Sequence, residues 1–278
     1  MPELPEIETV RRVVGPQIVG RRVASASVRH PKVIGSPDPD RFVQRLTGRK
    51  FTDLTRRGKI LTAQLDDGER MVMHMRMTGC LVVAPHERPE DPHTHIVVRL
   101  DNGMELRFSD TRRFGRFWLL AEGEDDDCTG LSKLGPEPFD PSFTAEYLEG
   151  RIGSSRRAIK ECLLDQSVVA GIGNIYSDEI LFATGIDPAC PANLLGHGDW
   201  THLADEIPRT LEFFVEKNEI SAEDWLEGRG REYRNTPYIR IYAHGGEPCP
   251  VCGTILVRRV IGGRSSVSCP ACQRRRGC

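Results

Sequence analysis

Short apolar runs punctuated by turn residues fill the first 120 or so positions, and apolar residues spaced by three and four take over beyond them. From Lys59 to Met77 an apolar-rich stretch is interrupted by Asp66-Asp67-Gly68, and from Ile96 to Phe108 a second is interrupted by Asp101-Asn102-Gly103. Asp-Gly and Asn-Gly supply the positive φ angles that tight hairpin turns require, so both stretches predict β-hairpins. Ahead of them, Glu6 to Val14 predicts a helix, with Pro5 near its start and Gly15 near its stop.

The acidic stretch Glu122 to Asp127, followed by Gly135-Pro136-Glu137-Pro138, predicts a connector that neither helix nor strand continues through easily. Helices are expected beyond it at Ala158 to Leu164, at Tyr176 to Thr184 ending on Gly185, and along Leu203, Ile207, Leu211 and Phe214, the last interrupted by Pro208. The tail from 246 onward returns to short strands around cysteines.

Composition changes this picture little. Hydrophobic residues make up 38% and charged residues 28%, and no apolar run approaches the length of a membrane span. The opening Met-Pro-Glu-Leu-Pro-Glu lacks the basic and apolar regions of a secretory signal, so a cytoplasmic setting is expected. Net charge is −2, which by itself gives no support for a nucleic-acid partner; its distribution does, because Arg258, Arg259, Arg264, Arg274, Arg275 and Arg276 crowd the tail. Such arginines could equally form a solvated face.

Nine cysteines would suggest disulfides in a small secreted chain, but the count is odd and four form two pairs, Cys249-Pro250-Val251-Cys252 and Cys269-Pro270-Ala271-Cys272, sixteen residues apart. Two such knuckles giving two thiolates each suit one tetrahedral Zn2+, and four thiolates close the shell, so the metal is expected to hold shape and not perform chemistry. Cys80, Cys128, Cys162, Cys190 and Cys278 show no ligand spacing.

A series of ordered motifs completes the reading: Met1-Pro2-Glu3-Leu4-Pro5-Glu6, Arg57-Gly58-Lys59, His74-Met75-Arg76-Met77-Thr78-Gly79, Asp110-Thr111-Arg112-Arg113-Phe114-Gly115, Leu134-Gly135-Pro136-Glu137-Pro138, Leu164-Asp165-Gln166 with Gly171-Ile172-Gly173-Asn174-Ile175-Tyr176, and the four-cysteine finger. In these the chain resembles the formamidopyrimidine-DNA glycosylase/endonuclease VIII family over essentially its whole length, with Leu4 closer to the formamidopyrimidine branch. The resemblance implies an α+β fold of two domains: a β-sandwich catalytic domain with an N-terminal helix over 1–130, a linker over 131–145, a helical domain with a helix-two-turn-helix and a lid loop over 146–245, and a zinc finger over 246–278. It also implies a monomer acting on double-stranded DNA that carries a damaged base or abasic site, in a cytoplasmic, nucleoid-associated setting.

The same resemblance implies the chemistry. Removal of Met1 exposes the secondary amine of Pro2, and an α-amino group, with a pKa of about 8, is partly unprotonated at neutral pH. Pro2 would attack the sugar C1′, Glu3 would protonate the ring oxygen as it opens, and Glu6 would support the helix and the amine, or serve only as a helix-start acid. Lys59 would contact phosphate and assist the first elimination, and Arg264 the second. Because the base must leave the stack, Met77, Arg112 and Phe114 would fill the void. Asn174 between the two glycines' loop and its helix, Arg113, Lys160 and His93, placed in the strand before Asp101, are further DNA contacts.

Three departures bear on base choice: Arg76 stands where the family has a small or apolar residue, Thr111 replaces a usual proline, and Gly228 to Arg234 occupies the lid without the common Gly-Lys-Pro-Gly character. The expected activity is removal of formamidopyrimidines, 8-oxoguanine or related oxidised purines, followed by β,δ-elimination. An endonuclease VIII-like preference for oxidised pyrimidines and a non-catalytic lesion-binding zinc protein are the competing readings.

Overall fold

The computed structural model describes residues 2 to 276; Met1, Gly277 and Cys278 lie outside the described residues, and with them the expectation of Met1 removal. Seven α-helices are described: α1 (Leu4–Ile18), α2 (Pro39–Leu46), α3 (Ala145–Ile152), α4 (Ile159–Leu164), α5 (Asn174–Ala183), α6 (His197–Lys217) and α7 (Ala222–Glu227). The strands are β1 (Val23–Val28), β2 (Ile34–Ser36), β3 (Phe51–Arg57), β4 (Ile60–Leu65), β5 (Arg70–His74), β6 (Gly79–Pro85), β7 (Thr94–Leu100), β8 (Met104–Asp110), β9 (Arg116–Leu120), β10 (Val257–Ile261) and β11 (Arg264–Ser268). None of the described helices is long and apolar enough to cross a membrane. The chain divides into two compact units, one running to Ser132 and including Asn218–Arg234, the other made of Lys133–Lys217 and the chain from Asn235 onward.

The first unit is a sandwich of a four-stranded sheet, β1-β7-β8-β6, and a five-stranded sheet, β2-β9-β5-β4-β3. Period-two alternation sends Leu61, Ala63, Met71, Met73, Phe117 and Leu119 from one sheet, and Leu81, Val83, Ile96, Val98, Leu106 and Phe108 from the other, into one core. Both predicted hairpins form, with Gly68 and Gly103 at positive φ in their turns. The opening helix does not stop at Gly15. It runs through Gly15 and Pro16 to Ile18, because Val14 and Ile18 are fully buried in the core and Val19 N–H closes the last turn on Gly15 O at 2.9 Å.

Residues 218–234, assigned from sequence to the helical domain, belong instead with the sandwich. Trp225 on α7 is buried in its core and donates from Nε1 to Leu81 O at 3.0 Å, and buried Asn218 donates to Thr9 Oγ1 at 2.8 Å. Burying an indole while bonding its N–H outweighs the connectivity that suggested otherwise.

In the second unit α6 continues through Pro208. Its stripe of Trp200, Leu203, Ile207, Leu211 and Phe214 is buried throughout, which offsets the helix bond a proline removes. The β10–β11 ribbon pairs Val257 with Ser268 through Ile261 with Arg264, and turns on Gly262 and Gly263 at φ of 54° and 73°, a geometry L-residues rarely adopt.

Candidate functional site

Pro2 is buried immediately before α1, and Glu3 is the N-cap of that helix at 1% exposure. Glu6 Oε2 accepts the Glu3 N–H at 2.8 Å, so the helix-start role weighed for Glu6 is realised, and it fixes the backbone beside Pro2. One turn on, Glu8 accepts from Arg11, Arg12 and Arg56, and Arg56 Nη1 also donates to Gly58 O at 3.1 Å. Burial raises the Glu8 carboxyl, but the three guanidiniums outweigh it and hold the pKa at about 2. The consequence is positional: Glu8 and Arg56 tie the helix that opens at Glu3 to the β3–β4 turn that carries Lys59.

Lys59 sits in that turn at 9% exposure, one residue before Ile60, whose partner across the ladder is His74. His74 had no role in the sequence reading. Burial, then the charges of Arg76 and Lys59, push its pKa down to about 3, so it is neutral at physiological pH. Its Nδ1 accepts the Arg76 N–H at 3.0 Å, which leaves the proton on Nε2, a donor beside Lys59's charge. Arg76 adopts φ of 58°, so the unusual residue before Met77 sits in the left-handed region.

The register that pairs Gly79 with Asp110 brings the β5–β6 and β8–β9 connections to one end of the sandwich. There Met77, Arg112 and Phe114 are all exposed and touch: Arg112 Nη1 lies 3.0 Å from Met77 Sδ, and its guanidinium lies 4.7 Å from the Phe114 ring centroid. Asp110, fully buried, organises this end by accepting the Thr78 hydroxyl, the Arg112 N–H at 3.1 Å and the Gly115 N–H at 2.8 Å. A Cβ on Gly115 would come within 2.4 Å of the Phe108 ring, so only glycine closes the turn. The signal available in the sequence was an aspartate opening a turn, a residue type that bonds backbone N–H groups two residues on. Arg113 is exposed at φ of 58°, with its N–H on Asp110 O at 3.2 Å. His93 lies not in β7 but in the turn before it, and its carbonyl accepts the Asp110 N–H at 3.0 Å, which joins it to the same end.

In the second unit Gly173 is the N-cap of α5 and Asn174 its first residue, and the preceding loop is held by Gln166, which accepts the Gly171 N–H at 3.0 Å and donates to Ile172 O at 2.7 Å. The Asn174 Oδ1 is buried with no hydrogen-bond partner among the described residues. Lys160 is not presented to a phosphate. Its side chain is fully buried, 2.7 Å from Asp178 Oδ1 and 3.1 Å from Ser265 O. A lysine on a short amphipathic helix reads as exposed, and the buried aspartate eighteen residues away gave no sign of pairing.

The sulfurs of Cys249, Cys252, Cys269 and Cys272 all lie within 4.8 Å of one another, with Cys252 and Cys269 at 3.5 Å and Cys249 and Cys272 at 3.9 Å. Tetrahedral zinc with Zn–S bonds of about 2.3 Å needs sulfurs about 3.8 Å apart, so the cluster fits one structural zinc. Arg264 is exposed at the tip of the ribbon. The segment 228–234 is anchored within the first unit: Arg231 pairs with Asp91 at 3.2 Å, Arg234 with Asp224 at 2.7 Å, and the Tyr233 ring packs on Trp225. Arg229 is exposed and makes no ion pair among the described residues.

Three segments of the chain match known protein families. Residues 1–117 match the profile of the formamidopyrimidine-DNA glycosylase N-terminal domain, 134–224 that of its H2TH domain, and 246–275 the zinc finger found in FPG and IleRS. A formamidopyrimidine-DNA glycosylase from Moorella thermoacetica is 47% identical over 93% of this chain and 94% of its own length, and one from Symbiobacterium thermophilum is 42% identical over 98% and 89%. The solved Lactococcus lactis FPG (MutM) in complex with oxidized-pyrimidine-containing DNA superposes with a TM-score of 0.90 at 31% identity, covering 99% of this chain and all of that one. A complex of the same enzyme with abasic-site DNA gives 0.89 at 30% identity over 98% of this chain and all of that one.

Proposed function

Because the chain belongs to the formamidopyrimidine-DNA glycosylase family, we propose that it is a bifunctional DNA glycosylase and abasic-site lyase of base excision repair, with Pro2 as nucleophile. The observation that carries this reading is the placement of Pro2 beside Glu3 at a helix start held by Glu6. Such a start gives a secondary amine and a carboxylate fixed relative positions, which covalent catalysis at C1′ requires.

The Pro2 nitrogen bonds to C1′ as the bond from C1′ to the damaged base breaks, and Glu3 delivers a proton to the ring oxygen as the sugar opens. The resulting iminium acidifies C2′; loss of that proton breaks the C3′–O bond and releases the strand on that side as its phosphate, and loss of the C4′ proton then breaks the C5′–O bond and releases the other strand as its phosphate. Lys59 holds phosphate for the first elimination with His74 Nε2–H as a second donor, and Arg264 assists the second. Met77, Arg112 and Phe114 occupy the space the extruded nucleotide leaves, at a cost of a few kcal/mol in unstacking. Zinc, held by Cys249, Cys252, Cys269 and Cys272, keeps the ribbon in shape and takes no part in these steps. Asn174, Arg113 and His93 serve as further DNA contacts. The enzyme works as a monomer on duplex DNA in the cytoplasm, at the nucleoid.

The substrate reading is an oxidised purine, in keeping with the names of the relatives. A preference for oxidised pyrimidines is the second reading, favoured by the solved relative bound to DNA of that kind. Borohydride trapping on duplexes carrying 8-oxoguanine, a formamidopyrimidine or an oxidised pyrimidine tests both. A covalent adduct mapping to Pro2, strongest on the purine lesions, is expected. An adduct on an internal lysine overturns the nucleophile, and binding without any adduct supports a non-catalytic lesion-binding protein.

A further inference from the structure

A two-stranded ribbon leaves one edge of each strand without a partner, and the outer edge of β11 is covered by two side chains instead of a strand. In an antiparallel pair, alternate residues turn both backbone groups away from their partner. On β11 these are Ser265 and Val267. Asp178 Oδ2 accepts the Val267 N–H at 3.0 Å, and Lys160 Nζ donates to Ser265 O at 3.1 Å. The two side chains close on each other at 2.7 Å, and the Ser266 hydroxyl also donates to Asp178 Oδ1 at 2.7 Å. An acceptor and a donor therefore stand where a neighbouring strand would present C=O and N–H. Both side chains are fully buried, so water does not compete for these bonds.

The next residue toward the tip is Arg264. We infer that Asp178, with Lys160, is a positioning residue for Arg264, fixing the ribbon tip so that the guanidinium is held for the second elimination; this rests on the role proposed above for Arg264. Distance separates this device from the metal. Cys269 lies five residues from Arg264, about 17 Å along an extended strand, whereas the Lys160 contact is on the adjacent residue. The turn that leads into Arg264 is made of two glycines with positive φ, which by themselves leave the backbone free to move. A second contact places the same helix under the tip: a Cβ on Gly262 would come within 2.6 Å of Glu161 Cγ, so the turn lies directly on α4 beside Lys160. A misplacement on the order of 1 Å at such a group costs up to about a hundredfold in the step it assists.

The test compares four full-length zinc-loaded proteins on a preformed abasic-site duplex: wild type, Arg264→Ala, Asp178→Asn, and the double variant Lys160→Met/Asp178→Leu. The double variant removes both charges together, so neither is left buried without its partner, while the bonds to the Val267 N–H and the Ser265 carbonyl are lost. The readouts are the ratio of β,δ- to β-elimination product, bound zinc, and amide hydrogen exchange over residues 262–267. Asp178→Asn and the double variant are expected to keep zinc and the first cleavage, to lower the product ratio about tenfold toward that of Arg264→Ala, and to exchange faster at the tip. An unchanged ratio and unchanged exchange, with Arg264→Ala lowering the ratio, overturn the positioning role. Zinc loss in both Asp178 variants also overturns it, because the pair would then serve assembly of the module. If Arg264→Ala leaves the ratio unchanged, the role of Arg264 itself fails; faster exchange at the tip with zinc retained would still establish that the pair holds the tip, and unchanged exchange would refute it.

Discussion

The guanidinium of Arg112 lies over the ring of Phe114, 4.7 Å from its centroid, and the same side chain reaches Met77 Sδ at 3.0 Å. Two separate connections thereby present one exposed unit, with an apolar group on each side of a cation. A cation over an exposed ring is worth about 0.5–1 kcal/mol, enough to bias the cluster toward one arrangement without locking it. Asp110 supplies the rest of the order through the backbone of Arg112 and Gly115.

Removal of the wedge should separate base extrusion from chemistry. Phe114→Ala and Met77→Ala are expected to slow excision of a damaged base from duplex DNA by about tenfold or more, since a few kcal/mol of unstacking is no longer offset. Cleavage at a preformed abasic site, where less stacking is lost, should change by about twofold or less. Equal losses on the two substrates, measured in single-turnover assays, would show that these residues serve the fold.

Zinc removal should affect the two units unequally. Because ligation supplies the folding energy of so small a module, Cys252→Ser is expected to release the metal and weaken DNA binding while the sandwich unfolds at its usual temperature. Metal analysis, a binding titration and a melting curve check this; DNA binding at full strength with no zinc would refute it.

Glu8 predicts how the first unit responds to acid. Its pKa of about 2 lies below the ordinary value of 4.5, so the folded state binds fewer protons than the unfolded state between these values. The associated stability, on the order of 3 kcal/mol at most, is complete above about pH 4.5 and is lost as pH falls toward 2. Glu8→Gln should remove most of that slope and also slow the first elimination, because Arg56 would no longer tie α1 to the Lys59 turn. Urea melts between pH 2 and 6, compared with the wild type, measure it; identical slopes would rule the network out as a source of acid sensitivity.

The arginines of the segment 228–234 should differ in their response to salt. Arg231 and Arg234 are committed to Asp91 and Asp224, whereas Arg229 makes no ion pair among the described residues. Arg229→Ala is therefore expected to lower the steepness of log affinity against log salt by about 0.9 on all substrates. Replacing 228–234 with a glycine linker should instead change the ranking among damaged bases and leave abasic-site cleavage nearly unchanged. A uniform loss with a shallower slope from that replacement would make the segment an electrostatic clamp.

What the sequence determined by itself was carried by short-range rules. The Asp-Gly and Asn-Gly turns fixed two hairpins because few residues tolerate their φ angles, and Cys-x-x-Cys spacing defined the four thiolates because metal geometry restricts ligand separation. The motifs around Pro2, Met77 and Arg112 were also legible, since each lies within a few residues of its own chain. Tertiary structure decided what depends on partners distant along the chain. Trp225 drew 218–234 onto the sandwich, Asp178 took Lys160 out of solvent, and the Gly79–Asp110 register joined the two connections that carry Met77 and Phe114. Gly15, Pro16 and Pro208 failed to end their helices for the same reason. Local propensities of a few kcal/mol or less yield where a continuous apolar stripe can be buried, and the depth of that burial is a property of the assembled core, not of the segment.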